Sequence, residues 1–408
     1  MYDRVDVLVV AALPQEYDAA KKVVGASAWQ EHGRDSSAPY SRAIVGGLTV
    51  ALARPTQMGG RGTGPIATSL TDRLRPACLA MCGVCAGNPG ATAPGDVVVA
   101  APAYQWDEGK HTGAAFRADP QQYPQENRWI RTAQDFRPDA LPSHGEASDE
   151  EAAAWYLERL HQGQDPRTHP ARRRYFPEPT WGTRLNDLAT RGFISWRDGA
   201  WALTASGRER VQRTLYDEVD GPRRLPYAVF TGPMASGNAV MSDAGIWSRL
   251  EVSQRKLLAL DLEAATIATV AHEREVPHWL VAKGVMDHAD LEKDDRFKAF
   301  AATASAEVLF ALLGTLLSPA ASAPGPAPVA AGVPGPVKLD VVRRLTYDWQ
   351  DLADLVGLPA YVTRRFRPGD EPRELWAWLE ARNRLADLPG ALADIGRTDL
   401  ADLLRPHL

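Results

Sequence analysis

The residues best placed to do acid–base chemistry lie between Leu260 and Asp290, in LDLEAATIATVAHEREVPHWLVAKGVMDHAD. Asp261 and Glu263 stand at the mouth of a segment whose apolar residues Ile267, Val270 and Ala271 recur at helical spacing. Asp287 and Asp290 follow an apolar, strand-like run from His278 to Val285. A carboxylate at the end of a buried strand is partly desolvated, which favours its protonated form and suits a general acid. A second carboxylate opening a helix can help such a group build a pocket. Open α/β sheets assemble ligand sites beyond the carboxyl ends of their strands, where these two features meet.

The elements that must position these groups read as an interrupted α/β domain. Residues 1–145 alternate VDVLVVAAL (a buried strand), PQEYDAAKKVV (a helix), AIVGGLTVALARP (a hairpin or long strand), PIATSLTDRLRP (a helix) and CLAMCGVCAG (a buried strand). Residues 146–225 change character. SDEEAAAWYLERLHQG is an amphipathic helix with an acidic start, followed by an arginine- and proline-rich stretch. Then come a helix, FISW, an Arg-Asp-Gly turn, WALT and another helix, and an Asp-Gly pair between two apolar runs is a strong hairpin signal. The α/β pattern resumes over 226–317, so 146–225 is expected to be an insert. Residues 318–337 form an Ala/Pro/Gly linker with no side chains large enough to build a core. Residues 338–408 read as short amphipathic helices broken by Gly and Pro, a small all-α bundle whose Trp349, Trp376 and Trp378 are expected in its core.

Composition bounds the function. The chain has 408 residues, 45% hydrophobic and 24% charged, with a net charge of −5. That describes a globular protein of two or three domains and argues against coating of nucleic acid along its length. Between Arg159 and Arg213 there are eleven Arg against five Asp plus Glu, so nucleic acid at 159–213 stays as a lesser alternative. The N-terminus shows no signal-peptide pattern and the longest apolar stretch, Val308–Leu317, is about half a membrane span. A cytoplasmic protein without a membrane partner is the expectation. Cys78, Cys82 and Cys85 lack a fourth Cys or His nearby and read as core residues of a strand, with no metal or other cofactor implied.

The stretch from Leu260 to Asp290 resembles the nucleoside phosphorylase and nucleosidase superfamily, whose members carry a D-M-E-A helix and then a strand ending in S/C-D-x-A-D. GVCAG (Gly83, Cys85, Ala86, Gly87) resembles the family's G-x-A-G-G turn, with Ala86 where glycine is often found. FTGPMASGNAV resembles its G-x-x-x-S-G-x-x-V segment. The resemblance covers about 1–145 and 226–317 and implies N-glycosidic cleavage of a purine nucleoside or nucleotide. Three jobs follow: protonating the departing purine, holding the ribose hydroxyls as cationic character develops, and placing a nucleophile below the anomeric carbon. By resemblance, Asp287 takes the first and Glu263 the second, with Leu262 replacing the usual methionine. Glu16 falls where hydrolytic members carry the glutamate that activates water, which favours hydrolysis over phosphorolysis. Ser236, Gly237 and Asn238 would line the pocket and Phe230 would stack on the base.

YQWDEGKHTGAAF is similar to a Y-E-x-G-K segment of superfamily members fused to bacterial and fungal immune receptors, which implies nucleotide substrates, ATP among them. A triphosphate needs cations, and Lys110, Arg61 and Lys283 are the candidates. Arg61 lies in the glycine-rich QMGGRGTGP, either an anion cradle or an ordinary connection. The insert resembles a winged helix. The C-terminal bundle resembles death-fold-like, effector-associated domains of bacterial immune proteins, which implies a protein partner through 338–408, with the exposed Arg364, Arg365 and Arg367 as expected contacts. A homo-oligomer is implied by resemblance alone. The leading expectation is a regulated effector nucleosidase. The alternatives are a housekeeping phosphorylase or methylthioadenosine-type nucleosidase, and a non-enzymatic nucleotide-sensing or DNA-linked regulator.

Overall fold

The structure is a computed structural model that describes residues 4–113, 115–217, 221–290, 295–317, 333–358, 363, 366, 369–380 and 384–407. It divides into two compact units, Met1–Ala321 and Ser322–Leu408.

The first unit is built on continuous apolar runs that become buried strands: β1 (Val7–Val10), the hairpin β3 (Tyr40–Val45) and β4 (Leu48–Ala53) with β2 (Gln30–His32) at its edge, β5 (Cys78–Gly87) and β6 (Val97–Gln105). Helices α1 (Pro14–Val24) and α2 (Gly60–Leu74) follow β1 and β4. The small β7 (Gly109–Thr112), β8 (Ala115–Ala118) and β9 (Gln122–Tyr123) precede α3 (Asn127–Asp135). After the insert come β12 (Val229–Ser236), α8 (Gly245–Glu251), β13 (Ala259–Asp261), α9 (Ala264–Glu273), β14 (His278–Asp287) and α10 (Lys298–Leu317). The ten-stranded sheet runs β13-β12-β6-β14-β5-β1-β4-β3-β2, with β9 on β6. Because β13 also pairs with β5, strands β5, β14, β6, β12 and β13 close into a ring. β14 pairs in parallel with β5, Val285 opposite Cys85 and Asp287 opposite Ala86, so the two motif-bearing strand ends are neighbours. α10 is the one described helix long and apolar enough to cross a membrane; it packs on β14, β5 and α1, and most of it is buried.

The insert forms α4 (Asp149–His161), α5 (Arg172–Tyr175), α6 (Glu178–Thr190), the hairpin β10 (Ile194–Arg197) and β11 (Ala200–Leu203), and α7 (Ala205–Asp217). Ser148 caps α4, its hydroxyl accepting from Glu151 N while Glu151 accepts from Ser148 N at 2.7 Å. Trp196 faces Trp201 across the hairpin, whose turn residues Asp198 and Gly199 are left-handed at φ 50° and 81°. The helix, hairpin, helix order is as read from sequence, but the insert has no core of its own. Trp155, Tyr156, Tyr175 and Phe176 join one hydrophobic cluster with Val97, Leu309 and Leu312 of the α/β body. Arg174 also clamps the buried Asp96. Much of the arginine excess is matched internally, with Arg172 on Glu178, Arg184 on Asp149, Arg191 on Glu150 and Asp187, and Arg213 on Glu209.

The second unit contains helices Gly335–Arg344, Trp349–Leu355, Glu371–Glu380, Leu388–Asp394 and Thr398–Leu404. Its core gathers Leu352, Leu375, Trp376, Leu379, Leu392, Leu400 and Leu404, with Trp349 and Trp378 packed against them. The first helix begins inside the stretch expected to be linker. Residues 318–332 of that linker, and Arg364, Arg365 and Arg367, lie outside the described residues.

Candidate active site

A cavity of about 440 Å³ opens where strands β1, β5, β6, β12, β13 and β14 end. Its lining consists of strand ends, the turns after them and the first residues of helices, including Leu13, Glu16, Met58, Cys85, Ala86, Trp106, Met241, Leu262, Glu263, Met286 and Asp287. Glu16, Glu263 and Asp287 therefore share one cavity, although they come from opposite ends of the domain's sequence.

Each carboxylate is held by a different local device. Glu16 is buried, on the first turn of α1. Its Oε2 accepts from Leu13 N at 2.8 Å and its Oε1 from Val84 N at 2.7 Å, so it fastens the end of β5 to the start of α1. Gly83 makes room for it, since a Cβ there would lie 2.4 Å from Glu16 Oε1. Burial pushes the Glu16 pKa up, Lys283 opposes that shift and Glu263 adds to it. Glu263 occupies the N-cap of α9 without capping it by its side chain. Its Oε1 accepts from Gly59 N at 2.7 Å and its Oε2 from Lys283 Nζ at 3.0 Å. The capping work falls to Asp261, whose Oδ2 accepts from Ala264 N at 2.9 Å while its Oδ1 accepts from Ser236 Oγ at 2.6 Å. Asp287 is buried at the end of β14, and its Oδ1 accepts from Ala289 N at 2.8 Å.

Lys283 balances this acidic cluster. It is fully buried, 3.0 Å from Glu263 and 3.4 Å from Asp261. Burial works to lower its pKa, but Glu263, Asp261 and Glu16 outweigh that and hold the ammonium above its ordinary value. Burial likewise raises the Asp261 pKa against the pull of Lys283. Lys283 thus serves carboxylates and does not face a phosphate, which corrects its expected role.

Other placements also differ from expectation. Phe230 pairs with Val98 near the start of β12, six positions before Ser236, and is absent from the cavity wall. Trp106, Val240, Met241 and Met286 line the cavity instead. The resemblance implied a stacking role, but strand register places that ring at the other end of β12. Asn238 is exposed and bonds Asp107, through its backbone N at 2.9 Å and its amide at 3.0 Å. Gly237 supports the wall indirectly, for a Cβ there would lie 2.5 Å from Trp106 Nε1. Lys110 is exposed on β7 opposite Arg117, away from the cavity. Arg61 is exposed on α2 and outside the lining. The glycine-rich stretch is no free loop, because it is helical from Gly60. It contributes one backbone N–H, that of Gly59, to a carboxylate. Cys85, Ala86 and Leu262 do line the cavity, while Gly83, Gly87 and Ser236 lie behind it. Cys78, Cys82 and Cys85 are all buried on β5.

Sequence reading missed Met58, Trp106, Val240, Met241 and Met286. Met58, Trp106, Val240 and Met286 lie within segments already singled out and Met241 directly after one, so the signal was membership of those segments.

An uncharacterized protein of Sinorhizobium fredii (strain NBRC 101917 / NGR234), y4jS, is 35% identical over 123 residues, 29% of this chain and 30% of that one, so the chain spans under a third of that relative. The 5'-methylthioadenosine/S-adenosylhomocysteine nucleosidase from Neisseria meningitidis superposes with a TM-score of 0.47 at 16% identity, over 76% of this chain and 99% of that one. The futalosine hydrolase of Helicobacter pylori strain 26695 gives 0.47 at 14%, over 76% and 97%. The family models carry more: residues 335–407 match bacterial death-like domain 3. Residues 6–318 match the phosphorylase superfamily, and the chain belongs to that superfamily.

Proposed function

We propose that the α/β domain hydrolyses the N-glycosidic bond of a purine nucleoside or nucleotide. The observation that carries this reading is the convergence of Glu16, Glu263 and Asp287 on one cavity, each locked by backbone N–H groups. Asp287, at a buried strand end, gives its proton to the purine as the bond to the anomeric carbon breaks. Glu263, steered by Gly59 and Lys283, accepts from the ribose hydroxyls and stabilises the developing cation. Glu16, whose pKa is raised by burial, takes a proton from the attacking water. Among the described residues the lining has no arginine, and its carboxylates outnumber its one lysine, Lys298. That balance supports water over phosphate as nucleophile.

The second unit supports a regulated effector of a bacterial conflict system. It matches a bacterial death-like domain, is a separate compact unit, and has no charged residue buried among those described. We read it as the element through which a protein partner governs the enzyme, because salvage of nucleosides needs no such appendage.

The test is base release, followed chromatographically, from adenosine, methylthioadenosine, AMP and ATP with and without inorganic phosphate. Hydrolysis predicts turnover in phosphate-free buffer with no ribose 1-phosphate, and the substrate series reads the phosphate count. Asp287→Asn is expected to lose about 10²-fold or more in rate at an unchanged melting temperature. Wild-type turnover in that variant would remove Asp287 from the mechanism.

A further inference from the structure

We propose that Arg159, supplied by the insert, is a positioning residue of this site: it clamps His288 and so fixes the turn that presents Asp287. The inference rests on the reading of Asp287 as the acid. Arg159 lies near the end of α4 and is 1% exposed. Removing a guanidinium from water costs stability, so its retention calls for a partner. Its Nη1 lies 3.4 Å from His288 Nε2, and the carboxylates of Glu158 and Asp290 act on it electrostatically.

His288 follows Asp287 directly. Its Nδ1 is 2.8 Å from the carbonyl oxygen of Gly87. A carbonyl oxygen only accepts, so Nδ1 carries the proton and Nε2 presents a lone pair. The Arg159 N–H donates into that lone pair and so holds the ring that the Gly87 carbonyl has already fixed as the Nδ1–H tautomer. Burial and the nearby Arg159 charge push the His288 pKa down to about 3, consistent with a neutral ring. The backbone oxygen of His288 accepts from Trp247 Nε1 at 2.8 Å. The next residue, Ala289, is left-handed at φ 59° and donates its N–H to Asp287 Oδ1. Left-handed alanine is strained and persists only where its surroundings hold it.

The turn from Asp287 to Ala289 is therefore held by three elements: the end of β5 through Gly87, α8 through Trp247, and the insert through Arg159. Gly87 closes the strand whose Cys85 and Ala86 line the cavity, so the clamp ties two walls of the site together. Arg159 itself is outside the lining, and a small groove shared by Arg159, Glu158, Arg296, Asp287 and His288 runs between insert and site. Its effect passes through His288.

The test uses the full chain, with adenosine as substrate. Arg159→Ala is expected to lower kcat by about 10-fold to 10²-fold, the scale of a misplaced catalytic group, while KM moves far less. Millimolar guanidinium restores part of that kcat in Arg159→Ala and none in Asp287→Asn. His288→Phe gives a comparable loss, and the double variant is no worse than either single one, because both break one path. In wild type, nitrogen NMR shows His288 as a single Nδ1–H tautomer with its Nε2 signal displaced by the Arg159 hydrogen bond, and Arg159→Ala removes that displacement. Should Arg159→Ala not fold, Arg159→Met carries the same measurements and His288→Phe the kcat measurement. Wild-type kcat in a folded Arg159 variant, additive losses in the double variant, or an unchanged His288 spectrum would each overturn the proposal. If Asp287→Asn were active while the His288 spectrum still responded to Arg159, the mechanism would fail and the clamp would stand.

Discussion

The two units of the chain treat charge in opposite ways. In the α/β unit, Glu16, Asp261, Glu263, Lys283 and Asp287 are all buried around one cavity. In the helical unit, every charged side chain among the described residues keeps some contact with solvent, and its core is aliphatic side chains and tryptophan. Burying charge costs stability, and a fold accepts that cost where preorganised polar groups do work. The helical unit has the makeup of a module that must be stable and present a surface, which agrees with a role in recognition.

The comparison can be broken most directly at Lys283. Lys283→Met leaves Glu263 and Asp261 buried without their ammonium, and a loss of about 3–5 kcal/mol is expected. Urea titration of the α/β unit reads it, and a loss below about 1 kcal/mol would mean that the carboxylates are already protonated. In the helical unit, Leu352→Ala removes a fully buried side chain from an apolar core, with about 2–5 kcal/mol expected. Because the units are separate, that variant should keep its base-release activity when purified. A parallel loss of activity would show that the enzyme depends on the bundle for its own integrity.

A pH experiment sharpens the contrast. Burial raises the Glu16 pKa above its ordinary 4.5, so the folded chain binds this proton more tightly than the unfolded one does. Its stabilising contribution is complete below the unfolded pKa and disappears as pH rises through the folded value. Wild type is therefore expected to lose stability relative to Glu16→Gln as pH is raised from 4.5 towards neutrality. A melting-temperature difference that stays flat with pH would contradict the burial argument. The smallest effect belongs to the bundle surface. Arg344 pairs with Asp340 and Asp399 but is 44% exposed, so Arg344→Ala should cost less than about 1 kcal/mol.

Much of this was legible in the sequence because it is local. Continuous apolar runs gave β1, β5 and β14, since a strand covered on both faces needs apolar residues on both. The acidic start of α4 and the Asp198-Gly199 turn were readable because the helix dipole and left-handed backbone select particular residue types. Asp287 and Glu263 were identifiable from their motifs, and the cavity brings them together.

What sequence could not supply was the company each side chain keeps. Lys283 read as a phosphate ligand because its type and position fit one, yet the pairing of both β13 and β14 with β5 turns it onto two carboxylates. Phe230 read as a base platform, but strand register decides which end of β12 faces the ligand. Arg159 gave no signal, being one arginine among eleven in its stretch. Its closeness to His288 exists only because the insert shares a core with the sheet. Short-range preferences for helix, strand, cap and turn are properties of neighbouring residues and are fixed by the sequence itself. Contacts across a hundred residues or more depend on register and packing, and only the folded chain decides them.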